Sequence, residues 1–202
     1  MSNPTPAEKF IPTLEVPQFK EHKTTQTAAI LATYCGDKID VHKLVKLIYL
    51  IDRESLKRRG SPVTYDRPYN TPLGPTPINT YHLINNPWTG EYWSQSFSAP
   101  ESPHIIKLLK DDTGEGKLSR FEVDLIHEVF EKFGKKSFNE LQRYMYSLPE
   151  FDDPGRSSSP IDWGILLKAV GWYGDDLIAI KQKLGGRAMF ERKIENMSQE
   201  IR

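Results

Sequence analysis

The side chains best suited to hold a metal or attack a substrate are five histidines and one cysteine, and their spacing argues against both roles. His22, His42, His82, His104 and His127 fall on five different segments. A zinc site wants convergent ligands, such as two histidines at i and i+4 on one helix. Cys35 is the sole cysteine, which excludes a disulfide framework and any Cys-cluster site and fits a reducing compartment; it reads as a small apolar packing residue. No Gly-x-Ser-x-Gly occurs, and Ser157-Ser158-Ser159 reads as a linker and helix cap. No glycine-rich loop leads into a helix with a following lysine, so nucleotide binding lacks support. Asp111, Asp112, Asp152 and Asp153 would serve a Mg²⁺-dependent nuclease only if the fold brought them together; solvated loop acids are the simpler reading. The expectation is no catalytic set, no metal and no cofactor.

One segment places polar groups where burial makes them consequential. After Asp40 as N-cap, VHKLVKLIYLIDRESLKRR reads as a helix closed by Gly60 and Pro62. Val41, Leu44, Val45, Leu47, Ile48, Leu50 and Ile51 cover nearly its whole circumference, so it should run through the core. His42, Lys46, Tyr49 and Arg53 follow at intervals of 4, 3 and 4 along one face, and Asp52 lies three beyond Tyr49. A lysine in such a position must find a partner, because an unpaired charge in a low dielectric is very costly. Either it snorkels or pairs with a carboxylate to pin the fold, or it makes a functional contact. Lys46, Tyr49 and Asp52 are expected to hold the Gly74-Pro75 turn against the helix.

The other elements arrange themselves around this helix. Residues 1–18, with four prolines, read as a flexible arm, and 19–34 as a helix stopped by Gly36. Proline density from Pro62 to Pro103 excludes long helices. An edge strand at 64–69, a helix after Gly74-Pro75 and a strand at 91–98 pairing with 104–109 are expected there. Ser119-Arg-Phe-Glu122 and Ser137-Phe-Asn-Glu140 are capping boxes opening two helices. Ser159-Pro160 sets a helix that Gly171 ends, and another should run from Asp175 to Leu184 until Gly185-Gly186 breaks it. Phe190, Ile194, Met197 and Ile201 then form one helical stripe in a separate C-terminal amphipathic helix, 185–202. That stripe docks either on a partner or on its own domain.

Composition bounds the function. The 202 residues suit one domain, and 27 basic against 27 acidic residues leave no whole-molecule field toward polyanions. No apolar run approaches a membrane span and no secretory pattern opens the chain, so a soluble cytoplasmic protein is expected. Charge is locally uneven: residues 38–59 hold seven basic and three acidic side chains, whereas 111–131 hold two and seven. Either these segments face each other, or the basic end Lys57-Arg58-Arg59 meets an acidic partner, although such an end also complements a helix C-terminus.

Residues 43–84 resemble the opening of the Panacea domain found in SocA-type antitoxins of bacteria and their phages. The matching pattern is Lys46-Leu47-x-Tyr49 on a helix, Asp52 three residues on, Gly60 and Pro62, then Gly74-Pro75 leading a helix with Tyr81. The segments LSRFEVDLIHEVFEKFG, SFNELQRYMYSLPEF and SPIDWGILL resemble the family's second half, so the likeness spans about 40–170. It implies an α+β fold, predominantly helical, as one compact domain (19–184) of about six to eight helices with a small antiparallel sheet. It also implies a protein that neutralises a cognate toxin by binding it or delivering it to a protease such as a Clp-type machine, with no enzymatic activity. Lys46, Tyr49, Asp52, Gly74, Pro75 and Tyr81 become the family-motif candidates, and Lys57, Arg58, Arg59, Phe190, Ile194, Met197 and Ile201 the partner-binding ones. A homo-oligomer is an open possibility, and neither a membrane nor nucleic acid is expected as a direct partner. The alternatives are a nucleic-acid-binding transcriptional regulator and a metal-dependent hydrolase.

Overall fold

The computed structural model describes residues 14–101, 104–109 and 113–200. Most of the expected arm, together with Asp111, Asp112 and Ile201, lies outside the described residues. Eight helices and two small antiparallel sheets make up the described chain, an α+β fold dominated by helix.

Helix α2 (Val41–Arg59) is the spine, and local chemistry fixes both its ends. Asp40 is extended and its Oδ1 accepts the Lys43 amide at 2.9 Å. Gly60 closes the helix in the left-handed region at φ 63°, its amide bonding to the Leu56 carbonyl. Between these caps Leu44, Leu47, Ile48 and Ile51 are wholly buried. Around α2 pack α1 (Glu21–Tyr34), α3 (Ile78–Asn85), α5 (Arg120–Phe133) and α6 (Phe138–Tyr146). The buried residues of α1 include Thr24, Thr25, Thr27, Ala28, Ala29 and Ala32, small enough for close approach, beside the larger Gln26 and Leu31. Both expected capping boxes form, at Ser119/Glu122 and Ser137/Glu140.

The sheets depart from expectation in instructive ways. Strand β1 (Lys38–Asp40) pairs with β4 (Ile105–Lys107), so HIIKLL finds its main partner before α2 and not in residues 91–98. Residues 91–98 instead hold the short helix α4 (Trp93–Ser96), with only a Phe97–Leu108 bridge to the strand. The reason is a helical pairing: Trp93 and Phe97 stack at 4.5 Å, both buried, while Glu21 Oε1 caps the turn by accepting the Tyr92 and Trp93 amides. The second sheet has β2 (Pro68–Asn70) between β3 (Thr76–Pro77) and β5 (Ser159–Pro160), so the expected edge strand is shorter and central. It starts late because the Val63 and Thr64 amides are spent on Asp52. Helix α7 (Trp163–Ala169) therefore begins after β5, with Asp162 as its cap.

The last departure is α8 (Gly174–Glu200), one continuous helix through Gly185-Gly186. Two helical glycines cost about 1 kcal/mol each relative to alanine. What offsets them is docking: a Cβ on Gly185 would lie 4.0 Å from the Glu15 carbonyl, so segment 14–20 runs close along this stretch. Lys20 pairs with Glu191 at 2.8 Å, Arg192 with Glu15 at 2.8 Å, and Gln18 Nε2 donates to Glu195 at 2.9 Å. Leu14 and Val16 pack against the core beneath.

Gly60 joins two of these constraints, since it holds a positive φ and a Cβ there would overlap Ile180 Cδ1 of α8. Gly60→Ala should cost about 1–2 kcal/mol for the left-handed backbone alone, and more once Ile180 is displaced. Thermal denaturation of the variant should show a lowered, still cooperative transition; an unchanged midpoint would contradict the close approach of α2 and α8.

Candidate functional site

The polar line on α2 is met by three different partners along the helix. Lys46, 1% exposed, donates to the Gly74 carbonyl at 3.1 Å, the Pro75 carbonyl at 3.0 Å and Thr76 Oγ1 at 3.1 Å. Its partners are neutral oxygens, neither the water of a snorkelling chain nor a carboxylate. Burial alone pulls its ammonium down to about 7.

Tyr49 and Asp52 do not reach that turn. Tyr49 donates its hydroxyl to Glu150 Oε1 at 2.8 Å, and Arg53 adds Nε at 2.7 Å and Nη2 at 3.2 Å to the same carboxylate. Glu150, 3% exposed, ties the segment after α6 to the spine. Asp52 accepts the Val63 and Thr64 amides, each at 2.8 Å, and the Thr64 hydroxyl, fixing the chain where it leaves α2. Withdrawal from water pushes its carboxyl up to about 7, only partly opposed by those hydrogen bonds, with the nearby Asp66 charge acting in the same direction.

Asp66 is buried as well. It takes the Asn79 amide at 2.8 Å, the Thr80 amide at 2.7 Å and the Thr80 hydroxyl at 2.6 Å, capping α3 from outside because Pro77 stands at the N-cap with no side-chain oxygen. Burial raises this carboxyl too.

The Gly74-Pro75 turn is clamped from both sides. Gly74 has φ 91° and a Cβ there would lie 2.9 Å from Met145 Cβ of α6, so the position demands glycine. Its amide bonds to the Thr71 carbonyl at 2.8 Å, and Tyr146 donates to the Pro72 carbonyl at 2.6 Å. With Lys46 below and α6 beside it, the turn walls a pocket of about 340 Å³ lined by His42, Lys46, Thr71, Leu73, Ile78 and Tyr81 among others. His42 meets the His104 ring at a tilt and the Phe138 ring edge-on, and burial, helped by His104 and Lys46 and opposed by Asp40, lowers its pKa. Tyr81, 38% exposed, stands at the outer wall.

The motif residues thus divide. Lys46 and Tyr81 line one pocket, Gly74 and Pro75 form the turn whose carbonyls Lys46 holds, and Tyr49 and Asp52 serve other tethers. Lys57, Arg58 and Arg59 end α2, where Arg58 bridges Glu54 at 2.8 Å and Glu128 at 2.7 Å and Arg59 lies 3.7 Å over the Phe121 ring. The basic and acidic segments therefore do face each other through α2 and α5. Phe190, Ile194 and Met197 line α8 with exposures of 65%, 48% and 54%. A broader open groove of about 900 Å³ lies by Arg59, Lys117 and Arg187, with Lys20 and Lys23 paired there to Glu191 and Glu122. Among the described residues no three His, Cys, Asp or Glu side chains stand together as metal ligands.

Glu150, Asp66, Thr71 and Thr76 were not singled out from sequence. The unmatched polar line on α2 signals that a carboxylate is required, but nothing local to Ser147–Phe151 marks Glu150 as the one.

The family model described as antitoxin SocA-like, Panacea domain, matches residues 44–150. That is more than half of the 202-residue chain, and the chain belongs to this family. The matched span takes in α2, the Gly74-Pro75 turn, α6 and Glu150, and stops short of α7, which the sequence likeness had included. Searches of curated proteins and of solved structures find no match.

Two outcomes follow from the tethers. Glu150→Ala leaves Arg53 and Tyr49 buried without their acceptor, and urea denaturation should show a loss of about 3–5 kcal/mol; a loss within experimental error would remove the Glu150 tether from the account of stability. For Asp52 the folded pKa is raised from 3.8 to about 7, so between about pH 4 and 7 the folded state holds more protons than the unfolded one. Stability should fall as pH rises through that window. Lys46, lowered from 10.5 to about 7, acts oppositely, and its contribution should rise from pH 7 toward 10.5. Asp52→Asn should flatten the fall between pH 5 and 7, leaving the part due to Asp66; an unaltered slope would rule out Asp52 as its source.

Proposed function

We propose that this protein is the antitoxin of a bacterial or phage toxin–antitoxin pair, acting in the cytoplasm to neutralise a cognate toxin by direct binding or by delivering it to a protease such as a Clp-type machine. The observation that carries the reading is membership of the SocA-like antitoxin family over residues 44–150. No catalytic activity is assigned to it. Among the described residues no helix is long and apolar enough to cross a membrane.

The contact surface we assign to the toxin is the outer face of α8. Its inner face is engaged, with Ala188 buried and Glu191, Arg192 and Glu195 bonded to segment 15–20. Phe190, Ile194 and Met197 lie on a different face and are exposed, which supports a partner rather than their own domain as the surface they cover. An apolar stripe on a helix already fixed along its other side suits a partner groove. The nucleic-acid reading gains nothing from the end of α2, where Arg58 is already engaged by acids.

Growth assays with the product of the neighbouring reading frame test both statements. The neighbour should arrest growth alone and be tolerated when this chain is co-expressed; a neighbour harmless by itself would remove the antitoxin reading. Phe190→Asp combined with Ile194→Asp should abolish protection without shifting the melting temperature. Retained protection with a changed oligomeric state would reassign the stripe to self-association.

A further inference from the structure

The pocket above Lys46 has a lining that selects by charge. Its polar side chains among the described residues are His42, Lys46, Thr71, Thr76, Tyr81 and Ser158, each able to donate a hydrogen bond, and no described aspartate or glutamate lines it. Lys46 is almost wholly buried and, among the described residues, meets the Gly74 and Pro75 carbonyls and Thr76 Oγ1 but no carboxylate, so its charge is hydrogen-bonded without a counter-ion from them. Buried cations are ordinarily paired.

The acceptors are also crowded. The Gly74 carbonyl takes Lys46 Nζ at 3.1 Å, Thr71 Oγ1 at 2.8 Å and Thr76 Oγ1 at 3.0 Å. A carbonyl offers two lone pairs, so three donors share what two can use well. The Thr71 hydroxyl, half-buried on the pocket wall, can turn toward a new acceptor at little loss.

We propose that this pocket binds a carboxylate carried on a small apolar group, with Lys46 as counter-ion, the Thr71 hydroxyl as second donor, and Leu73, Ile78 and Tyr81 around the apolar part. A charge-assisted bond to an ammonium is stronger than one between neutral groups, and the low dielectric strengthens it further. The apolar wall and single lysine disfavour a phosphate chain, while about 340 Å³ matches a small organic ligand. Two sources share this chemistry: a free short-chain acid, and the C-terminal residue of a polypeptide. The inference does not rest on the antitoxin reading, because it is measured on the purified chain alone.

The test is an amide-resolved NMR titration of the full-length protein with three probes: N-acetyl-leucine, 4-methylpentanoate and N-acetyl-leucinamide. Saturable shifts at the Gly74 and Thr76 amides are expected from the acids and not from the amide. Binding of N-acetyl-leucine alone identifies a polypeptide terminus as the ligand, and binding of both acids shows that a free acid suffices. Lys46→Met should lose these shifts. Should that variant fail to fold, Leu73→Trp, which fills the pocket and leaves Lys46 in place, should lose them as well. Equal shifts from the amide, no saturable shift from either acid, or full binding by Leu73→Trp would each overturn the proposal.

Discussion

A lysine ammonium enters the interior of a domain only if oxygens are already waiting for it, and here that requirement organises the chain. Lys46 sits in the second turn of the central buried helix, so its three protons must be met by groups from elsewhere. The carbonyls that meet it belong to a turn with no regular structure of its own, which Gly74 makes by adopting a positive φ. The turn leads directly into β3, and Asp66 separately fixes the start of α3. Without the lysine, the buried Pro75 carbonyl would lose its donor, a penalty of the same kind with opposite sign, while the Gly74 carbonyl would keep the Thr71 and Thr76 hydroxyls. Each side makes the other tolerable, and the pairing specifies one register of turn on helix where apolar packing alone would accept several.

The same logic repeats along α2 with different chemistry. Arg53 and Tyr49 share Glu150, and Asp52 gathers the chain leaving the helix. These tethers hold three segments poor in regular structure to a single rigid element: the strand-poor stretch before β2, the turn at Gly74, and the loop after α6. Proline-rich segments cannot secure themselves by helix or ladder hydrogen bonds, so side chains from α2 do that work. The matched family span, 44–150, runs from the start of α2 to the last of these anchors, Glu150. Tyr49 and Asp52 are thereby accounted for as fastenings, which leaves Lys46, the turn and Tyr81 as the part of the pattern that also shapes a cavity.

How much of this was legible in the sequence depended on range. Asp40, Gly60 and the two capping boxes act within one turn of their own helix, and each is where the local pattern put it. The need of Lys46 for a partner was legible; that the partner is carbonyl oxygen was not, because carbonyls are common to every residue and leave no sequence mark. Glu150 and Asp66 act across 97 and 13 residues, so only the fold reveals them. Residues 91–98 misled because aromatic residues at Tyr92, Trp93 and Phe97 satisfy neither period cleanly, and the deciding event is Glu21 capping from another helix. Gly185-Gly186 misled for a similar reason, since the break that two glycines favour locally is overridden by the bonds that segment 15–20 makes to Glu191, Arg192 and Glu195 further along the helix.

That last override bears on how the molecule presents itself. Had the glycines broken α8, its second half would be a separate short amphipathic helix, marginal in water and obliged to bury its apolar stripe on whatever surface lay nearest. Continuity removes the obligation: the first half is anchored by Leu184 and Ile180, the second by ion pairs to segment 15–20, and the helix persists without using its outer face. Phe190, Ile194 and Met197 can therefore stay exposed at no cost to the fold. An apolar surface held rigid by polar contacts on its far side loses little conformational entropy when a partner covers it, because the ordering was completed in the free protein. The bonds from Glu15, Gln18 and Lys20 thus carry the helix past two glycines that looked like a hinge and make it a fixed ledge.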